Sequence, residues 1–532
     1  MNPANINNIV DVSLTNAALS YANAGNFHNT QIASGKTLTV NGNLTVSGSG
    51  GTVTILGTGA AMKVNNSGNI NVENGTAPTL DMSGLDTFTA TVGQIGVGFN
   101  TASAGSNVKG NWYLARTNII ITGVGNFGTG SALVVGGSTG TSGGTGQLYL
   151  GQTNALYVDG INMGASTSTG DLIEFNPAFA NNPVAYIRGI SGNSSRVTTW
   201  SLGDDSVNLN TTVPGSGFLN DFSAGTLNAL VNTLIVGQGP QGNGVNNSIK
   251  ATFTMGAGNL DVTALYIGVG GISSLGTGGA GIGVMNVSNG TVVVNSLGLG
   301  LVGGGAITNT SGTLNLTSNA TLVVSNGITI GTGTVGGTLS VSSSMVKVLN
   351  GTIGTPVAPL TTLNLDGATL QLKVNGTASA AVIVATNVTT GATSTINIAT
   401  AINVSGTVQV PLISYVGTDP FGSLLLGTLP AGYTGSLVDN TGNSSVDLSI
   451  TSSVKPTPHF TGISISGTTL NISATNGANG GQYVLLGTTN LAKPLNQWTP
   501  ILTNNFDGSG HLNLSTNVIN PSVPQEFYII SQ

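Results

Sequence analysis

Eight charged residues fall close together in a chain that has only 11 Lys and Arg and 17 Asp and Glu among its 532 residues. They are Asp159, Asp171, Glu174, Arg188, Arg196, Asp204, Asp205 and Asp221. Hydrolysis of a glycosidic bond needs two facing carboxylates, and Asp204-Asp205 is the only adjacent carboxylate pair in the sequence. Arg188 and Arg196 could bind an anionic sugar. These last four residues are therefore the candidate ligand-contact residues.

A structural interpretation of the same four residues is favoured. On a strand, Asp204 and Asp205 would point to opposite faces, and the stretch "LGDDS" has the composition of a solvated turn. Arg188 and Arg196 are then expected to bond loop carbonyls or to pair with Asp204. The sequence thus offers a charged loop, with no residue assigned a catalytic role.

Metal and cofactor chemistry have little support in the sequence. The three histidines, His28, His459 and His511, share no spacing typical of metal ligands. The chain has no cysteine, which excludes disulfides and thiolate sites. The stretch "GGTGQLYLG" lacks the aspartate of calcium-binding nonapeptide repeats. We expect no enzyme activity, no cofactor and no metal.

The composition excludes several classes of protein. Only 5% of residues are charged and the net charge is −6, which argues against a nucleic-acid partner. No apolar run reaches the ~18–20 residues of a membrane span. The start, "MNPANINNIVDVSLTNAAL", does not read as a signal peptide. Abundant Val, Ile and Thr argue against disorder.

A repeat dominates the sequence and predicts an all-β fold. Gly-Thr-apolar starts recur at Gly290, Gly312 and Gly337, a regular spacing of the kind that marks a repeat protein. The stretch "GTLNLTSNATLVVSNGITIGTG" contains three alternating runs separated by small residues, as in short strands. Three strands in roughly 22–25 residues fit one coil of a parallel β-helix, or β-solenoid, with about 18 coils in 30–450. Tyr157 and Tyr266 are interpreted as equivalent positions of a degenerate coil.

The repeat also sets the expected domain boundaries. Residues 30–454 form the solenoid, with a charged excursion at about 159–221 that we expect to be one or two extruded loops containing Trp200. Residues 1–29 differ from the coils and are predicted to be a cap or a strand donated to a neighbouring subunit. Two prolines in "VKPTPHF" mark a boundary. Residues 456–532 are predicted to be a β-sandwich of about seven strands, with Trp498 in its core.

The coils, with "TLNLDGATLQLKV" and "LPAGYTGSLVDNTGNSSVDLSI", resemble large secreted bacterial proteins built from autotransporter-associated β-strand repeats. The final "GGQYVLLGTTNLAKPLNQWTPI…NPSVPQEFYIISQ" resembles a small β-sandwich that often ends such chains. The resemblance spans most of 30–532 and implies passengers, adhesins or envelope structures. The outer-membrane barrel of a true autotransporter is not visible in the sequence.

These observations predict an extracellular or cell-surface structural protein, a stiff solenoid that polymerises head to tail. The expected partners are further copies of the chain or glycans of the cell surface or matrix. Two alternatives stay open: an adhesin that binds glycans or surfaces, and a β-helix polysaccharide lyase or hydrolase. The enzyme would require the eight charged side chains of 159–221 to converge on one groove.

Overall fold

A computed structural model describes residues 8–21, 28–47, 51–65, 68–73, 77–100, 108–123, 131–138, 143–164, 170–203, 217–239, 248–271, 279–301, 309–331, 336–453 and 457–532. The chain divides into two compact units. Unit 1 comprises Met1–Asn403, Gln409–Leu429 and Ser436–Ser449, and unit 2 comprises Val404–Val408, Pro430–Gly435 and Ile450–Gln532.

The strands of the first half, as far as the described residues show them, are β1 (Asn8–Val10), β2 (Leu14–Asn16), β3 (Leu19–Tyr21), β4 (His28–Ile32), β5 (Thr37–Val40), β6 (Leu44–Val46), β7 (Gly51–Val64), β8 (Asn69–Val72), β9 (Pro78–Asp81), β10 (Leu85–Val92), β11 (Gln94–Val97), β12 (Val108–Tyr113), β13 (Thr117–Thr122), β14 (Leu133–Val135), β15 (Gly144–Leu150), β16 (Thr153–Tyr157), β17 (Gly160–Met163), β18 (Leu172–Phe175), β19 (Val184–Arg188), β20 (Val197–Leu202), β21 (Gly217–Gln238) and β22 (Ser248–Val269).

The strands that follow are β23 (Ala280–Ser288), β24 (Gly290–Leu301), β25 (Ser311–Thr317), β26 (Thr321–Val324), β27 (Ile328–Ile330), β28 (Gly337–Ser342), β29 (Met345–Val348), β30 (Leu360–Asp366), β31 (Thr369–Asn375), β32 (Ile383–Thr390), β33 (Ser394–Ile402), β34 (Thr407–Ser414), β35 (Leu424–Leu426), β36 (Tyr433–Asn440), β37 (Ser445–Ser452), β38 (His459–Ser466), β39 (Thr469–Thr475), β40 (Gln482–Thr488), β41 (Thr499–Asn505), β42 (Leu512–Asn517) and β43 (Phe527–Ser531). Short 3-10 turns lie at Phe421–Ser423, Thr441–Asn443 and Leu495–Gln497.

The strands of unit 1 form a solenoid-like parallel sheet, so the prediction of an all-β, solenoid-like chain is confirmed. They stack in three columns: in the described residues fifteen strands or parts of strands follow one another in columns A and B, and eleven in column C. Column A runs β1, β4, β7, β9, β12, β15, β18, β21, β22, β23, β25, β28, β30, β32, β34. Column B runs β2, β5, β7, β10, β13, β16, β19, β21, β22, β24, β26, β29, β31, β33, β35. Column C runs β3, β6, β8, β11, β14, β17, β20, β21, β22, β24, β27.

One row of column B shows how the layers bury apolar surface. Thirteen aliphatic side chains oppose one another in register, and none is more than 3% exposed: Val40, Val64, Ala90, Ile120, Leu156, Ile187, Ala229, Leu260, Val292, Leu322, Val346, Leu370 and Ile396. Because side chains alternate between faces, the intervening residues point outwards. This row, named here the aliphatic row, is the continuous core of unit 1.

The layers are longer and fewer than the sequence predicted. Along the aliphatic row, the step from Val40 to Val64 has the expected length, but the step from Ile187 to Ala229 spans far more of the chain. Column B holds fifteen strands or parts of strands in the described residues, against about 18 coils expected from the repeat. The expected coil is therefore too short for the middle of the chain, where connections between strands lengthen.

Glycine occupies one corner through seven successive layers. The column C residues Val97, Val135, Met163, Leu202, Val236, Ile267 and Leu299 oppose one another in register. The residue after each of them is a glycine whose φ lies between +61° and +80°: Gly98, Gly136, Gly164, Gly203, Gly237, Gly268 and Gly300. Other residues meet a steric penalty in this left-handed region, so the corner selects glycine in every one of these layers.

The predicted charged excursion at 159–221 contributes β17, β18, β19, β20 and the start of β21 to the sheet, so the prediction of extruded loops is wrong for these strands, while 165–169 and 204–216 lie outside the described residues. Strands β17, β18, β19 and β20 and the start of β21 all pair in parallel with strands of neighbouring layers. Trp200 lies fully buried on β20, where its Nε1 donates to Asn220 Oδ1 at 2.9 Å. The described charges of the segment lie on the strands of ordinary layers or next to the ends of those strands, so a local excess of charge did not mark a loop.

The N-terminal segment also continues the sheet. Asn8 opposes Thr30, Leu14 opposes Leu38 and Leu19 opposes Leu44, all in parallel register. Residues 8–21 therefore pair as the first layer of the sheet, and the prediction that 1–29 is a cap or a donated strand stays a prediction. The sequence of 8–21 alternates only weakly between apolar and polar residues, because in the described residues this layer is covered by a neighbouring layer on one side only.

Unit 2 contains two antiparallel three-stranded sheets, β38-β39-β42 and β41-β40-β43. Both sheets contribute to one buried cluster: Leu470, Ile472, Ala474, Tyr483, Leu485, Phe506, Leu512 and Leu514. Trp498 is not part of this cluster, contrary to expectation. It lies half-buried after the turn at Leu495–Gln497, and its Nε1 donates to Lys493 O at 2.9 Å. Tyr483 and Phe506, with ring centroids 4.9 Å apart, are the core aromatic pair.

Candidate functional site

Arg188, the first candidate contact residue, is 6% exposed at the end of β19. Its Nη1 donates to the carbonyls of Ile187 at 2.9 Å and Asn228 at 2.8 Å, and its Nη2 donates to Asn228 Oδ1 at 2.8 Å. Its Nε donates to Asn193 O at 3.1 Å, and its Cζ lies 3.8 Å from the ring centroid of Tyr186. The guanidinium is thus engaged within the fold.

Arg196 joins three layers. Its Nη1 donates to Val231 O at 3.2 Å and to Asp261 O at 2.9 Å, and its Nη2 lies 2.8 Å from Asp261 Oδ2. Val231 and Asp261 belong to the next two layers. Arg196 therefore pairs with Asp261, where the sequence had proposed Asp204 as a partner. Asp204 and Asp205 lie outside the described residues.

The other charged residues of the segment lie elsewhere. Glu174 and Asp221 oppose each other on the outward side of column A. Asp171 is fully buried and accepts from Gly146 N at 2.9 Å, and Asp159 accepts from Thr198 Oγ1 at 3.1 Å. The six described charges of the segment therefore do not converge on one groove.

Glu174 and Asp221 belong to a longer outward row of column A, named here the polar row. Its members oppose one another from layer to layer: Asp81, Tyr113, Tyr149, Glu174, Asp221, Thr254, Asn286, Asn315, Ser340, Asn364 and Thr389. Burial raises the pKa of Glu174, and the adjacent Asp221 carboxylate raises it further. This pair is the one place in the row where like charges adjoin.

Two tyrosines stack within the polar row. The rings of Tyr113 and Tyr149 are 4.1 Å apart between centroids and 3° from parallel. Burial raises the pKa of the Tyr149 hydroxyl, with further contributions from Tyr113 and Glu174. Because each ring covers one face of the other, the pair stabilises adjacent layers.

The three histidines are divided between the two units. His459 is exposed on β38, and His511 Nδ1 lies 3.7 Å from Asp507 Oδ2, both in unit 2. His28 begins β4 in unit 1. Within the described ranges, no group of three His, Cys, Asp or Glu side chains could hold a metal ion.

A cleft of about 750 Å³ in unit 1 is lined by buried polar groups. Its polar lining centres on Asp447, which is 4% exposed. Gln409 Nε2 and Asn440 Nδ2 donate to Asp447 Oδ2 at 2.8 and 2.7 Å, and Ser445 Oγ donates to Oδ1 at 2.6 Å. Burial alone would raise the pKa of Asp447, but these hydrogen bonds outweigh it and hold the pKa below its ordinary value.

Sequence reasoning missed this cleft. Asp447 follows Val446 and precedes Leu448 in an alternating run, a pattern that predicts a solvent-facing aspartate on an ordinary strand. Its partner Gln409 lies far earlier in the chain and reaches it only through the pairing of β34 with β37. The one local signal is the set of polar residues from Asn440 to Ser445, which reads as a plain turn.

Comparison of the chain with protein-family models, with curated proteins and with solved structures finds no match. Among the described residues, no helix has the length and apolar character needed to cross a membrane.

Proposed function

We propose that the protein is an extracellular or cell-surface structural protein, in which unit 1 is a parallel β-helix and unit 2 a β-sandwich. The observation that carries the proposal is the aliphatic row, thirteen buried side chains in unbroken register. Stacked layers of this kind are held by backbone hydrogen bonds and by burial against the next layer alone. Such an array serves as a stiff, protease-resistant spacer and needs no reactive site.

The first layer supports head-to-tail polymerisation. In the described residues, β1, β2 and β3 pair on one side only, with β4, β5 and β6. Ile9 and Val12 of this layer are 69% and 59% exposed. Open strand edges are templates for pairing with another chain, and a heterologous contact that does not close builds a filament. The resemblance of the coils to secreted proteins with autotransporter-associated repeats, noted from the sequence, is in keeping with this proposal.

Negative-stain electron microscopy over a concentration series tests the proposal. We expect filaments that lengthen with concentration, and shorter ones for Ile9→Lys, which places a charge on the open edge. Ile119→Lys adds the same charge at an exposed position of β13, which pairs with a strand on both sides, and is the matched control. Monodisperse particles at high concentration would contradict polymerisation, and failure of surface labelling on intact cells would contradict the location.

A glycan-binding adhesin is the second candidate, and the cleft around Asp447 is the observation that favours it. The lyase or hydrolase alternative required the charges of 159–221 to meet in one groove. Since the six described ones are divided between separate places, we do not propose it.

A further inference from the structure

The cleft of unit 1 combines apolar and polar walls. Its apolar part includes proline rings and its polar part includes amides and a carboxylate: Pro356, Pro359, Pro411, Gln409, Asn440 and Asp447. A volume of about 750 Å³ falls within the range of ~300–1,000 Å³ typical of small-molecule sites. The cleft is thus large enough for an organic ligand and far larger than a single ion requires.

The hydrogen bonds of Asp447 fix the orientation of the two neighbouring amides. An ionised carboxylate only accepts hydrogen bonds, so Gln409 and Asn440 must turn their NH₂ groups towards it, at 2.8 and 2.7 Å. Their carbonyl oxygens are therefore directed away from Asp447. Together with the carboxylate, they make the polar wall rich in acceptors, which suits a ligand that carries several donors.

Charge narrows the ligand class. The residues that line the cleft all belong to the described part of the chain, and none of them is Lys, Arg or His. A uronate, phosphate or sulfate would therefore face the buried Asp447 charge without a compensating cation. A metal ion is also disfavoured, because Asp447 is the only carboxylate in the lining and both of its oxygens already accept hydrogen bonds.

The apolar wall suits the C–H face of a sugar ring. Val416 lines the cleft and is 78% exposed, and Val357, between two lining prolines, is 86% exposed. Exposed apolar side chains beside convergent polar groups are typical of ligand sites. We propose that this cleft binds an uncharged saccharide, with hydroxyl groups donating to the carbonyl oxygens of Gln409 and Asn440, whose orientation Asp447 fixes. The inference rests on the glycan-binding candidate and is separate from the structural role.

Isothermal titration of the full chain with oligosaccharide panels tests this. The probes are neutral gluco-, manno-, xylo- and N-acetylglucosamine hexasaccharides, against polygalacturonate and alginate oligosaccharides of equal length. We expect at least one neutral probe to bind and the acidic probes not to bind. Ala380→Trp, at an exposed lining position, should reduce the affinity at least tenfold by filling the cleft, and Asp447→Asn should also weaken binding.

The matched control is Asp439→Asn, which removes a negative charge from an exposed position of β36 beside Asn440. It should leave binding unchanged. Absence of binding by every neutral probe, equal binding of acidic probes, or full affinity in Ala380→Trp would overturn the inference. Filament length in Ala380→Trp is measured in parallel and should not change, so failure of the glycan site is distinguishable from failure of the structural proposal.

Discussion

The adjacent carboxylates of the polar row provide a direct test of the layered register. Glu174 and Asp221 are register partners on neighbouring strands, which places their backbones ~4.8 Å apart. Replacing Glu174 with Gln keeps the shape and removes one charge. At a separation of about 5 Å, two charges repel by about 0.8 kcal/mol in water and about 3 kcal/mol at an effective dielectric constant of about 20.

The expected gain lies near the lower figure. Both side chains are only half-buried, and at about 0.15 M salt the Debye length of about 8 Å weakens the repulsion. We therefore expect Glu174→Gln to stabilise the layers at pH 7 by about 0.5–1 kcal/mol. Hydrogen exchange of the amides of β18 and the start of β21 measures this locally, which suits an array of repeats that need not unfold in one step.

The stabilisation by Glu174→Gln should depend on pH, in a direction set by the shifted pKa of Glu174. The pKa of Glu174 is raised above its ordinary 4.5, so the native state binds more protons than the unfolded state between the two values. The destabilisation caused by the Glu174 charge is absent below its ordinary pKa, grows as pH rises through that interval and is complete above its native pKa. The advantage of Glu174→Gln should thus be full at pH 7 and vanish near about pH 3.5.

A double-mutant cycle tests whether Glu174 and Asp221 repel each other directly. Asp221→Asn should give a similar gain, and the double variant should gain little more, since either change removes the same repulsion. Asp81→Asn is the control: its register neighbours Thr54 and Tyr113 are uncharged, so it should not stabilise. Additive gains, or a destabilising Glu174→Gln, would show that the two carboxylates do not adjoin.

Two further predictions concern a corner and a buried charge. Gly268→Ala should destabilise the protein by several kcal/mol more than Gly35→Ala. Both glycines have positive φ (+70° and +73°), but a Cβ at Gly268 would fall on Ser311 O, whereas nothing lies within 4 Å of a Cβ at Gly35. Equal losses of stability in urea unfolding would contradict this. Because the native pKa of Asp447 is lowered, its carboxylate stabilises the fold above its unfolded pKa, and this contribution is lost as pH falls through the native pKa. The melting temperature of Asp447→Asn should therefore fall less on acidification than that of the unchanged protein. An identical pH dependence of the two melting temperatures would refute the lowered pKa.

The sequence predicted the strands well and their equivalences poorly. The three runs in 312–333 are β25, β26 and β27, as expected. Gly312 opposes Gly337, so the period between these two is correct. Gly290, however, opposes Gly258 in column B, whereas Gly312 lies in column A. Strands of both columns begin with Gly-Thr-apolar, so a local motif cannot tell one column from the other.

The two tyrosines interpreted as equivalent illustrate the same limit. Tyr157 opposes Arg188 in column B, and Tyr266 opposes Ile235 in column C. A match between their surroundings reflects the shared strand chemistry of all three columns. The cleft around Asp447 could not be predicted from the sequence for a different reason. It depends on pairings between distant strands that no local pattern encodes.

The scarcity of charge follows from stacking in register. Wherever one layer repeats an amide of the last, the two amides can bond to each other: Asn315 Nδ2 donates to Asn286 Oδ1 at 2.9 Å in the polar row, and Asn118 Nδ2 donates to Asn154 Oδ1 at 2.9 Å in column B. Two ionised carboxylates cannot do this: burial is the main cause of the raised pKa of Glu174, and the adjacent Asp221 carboxylate raises it further. A chain that lengthens by repeating layers can therefore add Asn, Ser and Thr freely, whereas each repeated charge raises the cost of the next.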